Sequence, residues 1–177
     1  MRKLVLTSMI AGAALAFGHE ARSQQPAAPA PATVPDLMPF DIPYGPSITA
    51  ERAAELVKAV MAEARKGNRN WKLAVAVVDP NGELVYFYKA DQTQTASIVV
   101  APAKARSAAR YRRSTEVFFN LMQTTGGAIA LTLDGAVASP GGIPLVEGGK
   151  MIGAIGCSGA AGAQDHVACK AGADMLK

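Results

Sequence analysis

Between Gln92 and Thr115 the chain carries five cations, Lys104, Arg106, Arg110, Arg112 and Arg113, and no acidic side chain. On a helix Arg106, Arg110 and Arg113 follow i, i+4, i+7 and share one face. Such a face suits carboxylates or phosphates, which accept charge-assisted hydrogen bonds from guanidinium groups. A solvated cationic face, or ion pairs with Glu51, Glu55 or a neighbouring subunit, is the plainer alternative, since most surface charge is simply hydrated. His166, Tyr86, Tyr88, Tyr111 and Met122 are of types that can ligate a metal centre through imidazole, phenolate or thioether. Each also has a structural reading: a surface or interface histidine, packed tyrosines and a core methionine. On a helix near the C-terminus, Val167, Ala171 and Met175 would form the apolar face and His166 would point away from it. Cys157 and Cys169 are the only cysteines, and an even count permits one disulfide where thiols oxidise, or else two buried thiols.

The elements that must position these residues follow from periodicity. Residues 53–64 repeat apolar positions at helical spacing, with Thr49 as N-cap, Glu51 in the first turn and Gly67 as terminator. Stretches 73–79 and 83–89 are rich in Val, Tyr and Phe around the turn Pro80-Asn81-Gly82, which predicts a hairpin. A second hairpin is signalled by 143–147 and 151–157 around Gly148-Gly149, whose glycines supply positive φ. Residues 101–113 predict a helix with Pro102 in its first turn, and 115–123 a short helix capped by Ser114. One further strand is expected at 128–133 and a last helix at 163–176. The fold class is therefore α+β: an antiparallel sheet of about five strands built from two hairpins, with helices packed against it. Hairpins argue against a parallel nucleotide-binding sheet. The glycine pairs do not lead into a phosphate-binding helix, and Ser139 and Ser158 have no triad partners at a motif spacing.

Four segments together resemble the GlcG/HbpS-like haem-binding family. That family was formerly a domain of unknown function and also forms the C-terminal domain of some corrinoid adenosyltransferases. The segments are Val77-Val78-Asp79-Pro80-Asn81-Gly82, Lys104-Ala105-Arg106-Ser107-Ala108-Ala109, Gly141-Gly142-Ile143-Pro144-Leu145, and Ile152 to Gly159 followed by Gln164-Asp165. The resemblance spans about residues 50–177 and implies an α+β fold, a homo-oligomer and, for some members, haem binding with haem degradation. It departs from the family pattern at Lys89, at Cys157 and in the loop after Asp91. On this resemblance the cofactor is haem, a tetrapyrrole small molecule, and the only metal implied is its iron. Lys104, Arg106, Arg110 and Arg113 become candidate propionate anchors, while His166, Tyr86, Tyr88, Tyr111 and Met122 become candidate axial ligands. The alternatives are an enzyme of the same fold, degrading haem or acting on a small organic acid, and a structural or sensory oligomeric module.

The N-terminus has the form of a secretory signal peptide over residues 1–23. Arg2 and Lys3 precede an uncharged run from Leu4 to Gly18, and Ala21-Arg22-Ser23 is a small-x-small cleavage site. The run is shorter than the ~20 apolar residues of a bilayer span, so no membrane span is expected after cleavage. Residues 24–46 are rich in proline and alanine and read as a linker, which leaves 47–177 as the domain. Removing Arg2, Lys3 and Arg22 against Glu20 takes two charges off the formal +4, to +2. That balance and an exported, periplasmic or secreted location argue against nucleic acid as a partner. Mass spectrometry of protein from the cell envelope should find a mature N-terminus at or near Gln24. Intact Met1 in a cytoplasmic fraction would overturn the export reading.

Overall fold

The computed structural model describes residues 36–176; the proposed signal peptide and most of the proposed linker lie outside the described residues. Residues 37–177 make one compact unit. Helix α1 (Ala50–Glu63) starts at Thr49, whose side chain accepts a hydrogen bond from the Arg52 amide. Strands β1 (Ala74–Val78) and β2 (Leu84–Lys89) form the first hairpin. Asp79 shapes its turn by accepting from the amides of Asn81 and Glu83. Helices α2 (Ser97–Tyr111) and α3 (Thr115–Met122) follow, α3 being capped by the Ser114 hydroxyl. Strands β3 (Gly142–Glu147) and β4 (Lys150–Ser158) form the second hairpin, and α4 (Gly162–Ala173) ends the domain with a short 3-10 turn, Asp174–Leu176.

The four strands form one antiparallel sheet in the order β2-β1-β4-β3. Pro144, which has no amide proton to donate, sits on the edge strand β3, where the ladder loses least. Strand alternation divides β1 between two cores. Val75 and Val77 face a layer that includes Leu56, Val60, Ala168 and Cys169 from α1 and α4, while Ala74, Ala76 and Val78 face the alanines of α2. Cys157 and Cys169 are joined in a disulfide, both fully buried, with Cα atoms 5.7 Å apart. It fastens the end of β4 to α4.

Three local expectations change. Residues 128–133 are not a strand; Gly127–Thr132 is a 3-10 helix. The hydroxyls of Thr124 and Thr132 donate to carbonyls three residues back, an option that competes with strand pairing. Helix α2 begins at Ser97, so Pro102 lies inside it rather than in its first turn. The folded unit also starts before Ser47. Gly45 and Ile48 donate to the carbonyls of Met151 and Ile152, and Met151 donates to Pro43, so this segment lies along β4 as a short strand-like addition. Its prolines have no amide proton to donate, and Pro43 takes part through its carbonyl. Among the described residues no helix is long and apolar enough to cross a membrane.

The α2 layer is held at short range by absent side chains. A Cβ on Gly156 would stand 2.2 Å from the Ala101 carbonyl oxygen, and one on Gly142 would stand 2.3 Å from that of Lys104. Both clashes are with backbone and cannot be relieved by rotation. Gly156→Ala should therefore lower unfolding free energy by about 1–3 kcal/mol, the usual cost of overpacking a close-fitted core. Urea denaturation checks this, and an unchanged midpoint would show that α2 can shift away.

Candidate functional site

The four cations named as propionate anchors do not converge. Lys104 is buried, 2% exposed, and its Nζ lies 2.8 Å from Asp165 Oδ2. It faces the interior and presents no charge to a ligand. Arg106 donates through Nε to the Gly82 carbonyl in the first hairpin turn. Arg110 pairs with the exposed Asp134, at 2.6 Å from Oδ2, and also donates to its carbonyl. Arg113 leaves the shared face because α2 ends at Tyr111 and Arg112 takes the left-handed conformation, φ 53°. Its guanidinium stacks 3.9 Å over the Phe40 ring, and burial, with Arg112 adding repulsion, lowers its pKa.

Of the axial-ligand candidates, Tyr111 is likewise committed elsewhere. The Tyr111 hydroxyl donates to the Asp134 carbonyl while its ring meets Phe118 edge-on at 5.1 Å. Met122 is the half-buried last residue of α3 and lines none of the grooves described here. Tyr86 and Tyr88 share a face of β2 and line a groove against α1.

His166 lies where the sequence periodicity did not put it. The buried face of α4 is Asp165, Ala168, Cys169 and Gly172, whereas Val167 and Met175 are each 42% exposed. Small residues let α4 approach α1 closely: a Cβ on Gly172 would meet Val60 Cγ2 at 2.7 Å and the Leu56 carbonyl oxygen at 2.9 Å. That rotation turns His166 toward β3. Together with Ile143, Pro144, Val146, Lys170, Ala173 and Asp174 it lines a mostly apolar groove of about 400 Å³. Its Nδ1 is buried with no hydrogen-bond partner among the described residues, and its Nε2 stands 3.7 Å from Glu116 Oε2. At that distance the carboxylate does not lock the ring by a hydrogen bond. Lys170, one turn along α4, pairs with Asp174 at 2.5 Å on the surface.

Sequence reasoning missed the groove walls and the partner of Lys104. Asp165 is 61 residues from Lys104, and no local pattern couples them. Its Oδ1 also accepts from the Ala160 amide, 3.0 Å away, so the carboxylate holds the start of α4 while neutralising α2's buried cation. Burial pushes the Asp165 carboxyl above its ordinary pKa, against the pull of Lys104 and of the Ala160 amide.

The family model described as "Haem degrading protein HbpS-like" matches residues 48–174. The chain belongs to the HbpS-like family. Among curated relatives, protein GlcG of Escherichia coli K12 is 33% identical over 111 residues, covering 63% of this chain and 81% of GlcG. Among solved structures, a double mutant of Streptomyces reticuli HbpS superposes with a TM-score of 0.65 at 28% identity, covering 85% of this chain and 98% of HbpS. The PduOC haem complex gives a TM-score of 0.65 at 21% identity, covering 74% of this chain and 96% of PduOC, a likeness of fold. The α+β sheet read from the sequence is thus that of the HbpS-like family.

The buried pair makes its own prediction. Removing one partner leaves the other charged and unpaired in the interior, so Lys104→Met should cost about 3–5 kcal/mol. The double variant Lys104→Met with Asp165→Leu should recover much of that loss. Thermal or urea unfolding of the three proteins decides it; equal stability of the single variant and wild type would mean that the pair is hydrated.

Proposed function

We propose that this chain is an exported haem-binding protein whose tetrapyrrole sits in the groove of His166, between α4 and β3. The observation that carries the reading is the orphaned imidazole. The chain's other histidine, His19, belongs to the proposed signal peptide, so His166 is the one imidazole left to a mature protein. It stands in apolar walls with one nitrogen unpartnered and the other held only loosely. Apolar walls with a few placed polar groups are what a planar organic cofactor requires. His166 would hold the iron through its imidazole. Lys170 would face a propionate by exchanging its exposed pair with Asp174, a replacement that costs little because such surface pairs are weak. Haem, when bound, supplies a redox-active iron. The protein's part is to hold the ring, donate one nitrogen and keep water from the ring face.

Two further points support the reading. HbpS and PduOC share the fold, and PduOC has been solved as a haem complex. Phe119, Leu121, Ile129, Leu131 and Leu133 expose large apolar side chains on α3 and the adjoining 3-10 helix and its end, which supports assembly into a homo-oligomer.

Titration of the mature domain with haemin, followed in the Soret region, tests the site. His166→Ala should weaken binding about tenfold or more and displace the Soret band, since a lost coordinate bond exceeds 1.4 kcal/mol, the equivalent of one decade. Arg106→Ala, on a side chain already bonded to Gly82, should stay within about threefold of wild type. An unshifted band in His166→Ala would remove this groove as the haem site.

A further inference from the structure

A second groove of about 390 Å³ runs between α1 and β2. Its floor is apolar: Val57 and Met61 are buried at 3% and 7% exposure. Its β2 wall is Tyr86 and Tyr88, two residues apart on one strand and hence on one face. Neither hydroxyl has a hydrogen-bond partner among the described residues. Its rim carries Lys58 and Arg65, seven residues apart on α1 and just beyond it, both exposed and neither in an ion pair among the described residues. No acidic residue lines the groove. Asp91 belongs to a smaller recess, which shares Met61, Arg65 and Tyr88 with the groove and is also lined by Trp71.

These features belong together chemically. Two uncommitted cations over an apolar floor attract an anion that has an apolar body. Phenol rings side by side on a strand, with a thioether below, offer faces and edges to a flat ring. Charge-assisted hydrogen bonds from the rim would fix the carboxylate end, and the tyrosine hydroxyls would satisfy its remaining lone pairs. This contrasts with the α2 cations, which are already bonded within the protein, and with Lys170, which is paired with Asp174.

We propose that the α1–β2 groove is a separate ligand site, selective for planar aromatic carboxylates, with Lys58 and Arg65 as anion anchors and Tyr86 and Tyr88 as the stacking wall. The proposal does not rest on haem at His166. Haem is itself a planar ring bearing carboxylates, so the experiment must tell the two sources apart.

The probe is 2-naphthoate, titrated calorimetrically into the mature protein, with 2-naphthamide as its uncharged counterpart. The expected result is saturable binding of one naphthoate per chain, at least tenfold weaker binding of the amide, and a loss of about fivefold in Lys58→Gln or Arg65→Gln. Both positions are exposed, and circular dichroism should show both variants folded. His166→Ala, and one equivalent of added haemin, should leave naphthoate affinity unchanged. Equal binding of acid and amide, indifference to both rim substitutions, or competition by haemin would each overturn the proposal. Competition would also move the haem site to this groove, whereas the Soret response of His166→Ala reports separately on the His166 groove.

Discussion

The buried contact between Lys104 and Asp165 is the constraint on which the arrangement of layers depends. Helices α2 and α4 pack on opposite faces of the sheet, yet these two side chains meet where β3 begins. They reach one another because Gly141 leaves the passage open: a Cβ there would lie 3.2 Å from Lys104 Nζ and 2.9 Å from Asp165 Cβ. A charge that cannot return to water without unfolding its neighbourhood behaves as a bolt through the sheet's end. It sets where α4 starts, and through α4 it sets which side of that helix turns toward β3.

Close packing supplies the second constraint. On the α2 side the contact surface is mostly alanine and glycine, and at Gly142 and Gly156 backbone meets backbone directly. Such a surface tolerates little adjustment. The α1 side is built instead from leucine, valine and methionine, whose shapes can accommodate one another. Both described grooves open on that side, one between α4 and β3 and one between α1 and β2.

Much of the fold was legible because its signals are local. Asp79, Asn81 and Gly82 define the first turn among themselves, and Gly148 and Gly149 take the positive φ angles, 55° and 74°, that their pairing foretold. Thr49 and Ser114 cap the helices they precede. The site was less legible, for reasons that are equally physical. Counting large apolar residues misplaced α4, whose packing face is made of Ala168, Cys169 and Gly172. The cationic face of α2 looked like a binding surface because each partner lies far along the chain: Gly82 for Arg106, Asp134 for Arg110 and Asp165 for Lys104. Arg113 fell off that face because Arg112 adopts a left-handed conformation that no glycine announced. In the sequence Lys58 and Arg65 are ordinary charges outside the apolar stripe of an amphipathic helix, and only the fold sets them across a groove from Tyr86 and Tyr88.

The disulfide between Cys157 and Cys169 has a bearing on timing. It ties α4 to β4 at a point three residues beyond His166, and it forms only where thiols are oxidised. In reducing surroundings α4 keeps its buried pair with Lys104 but lacks this second tie to the sheet, so the segment around His166 is held less firmly. Redox state thereby becomes part of the groove's assembly: oxidation completes the mooring of the helix that carries His166.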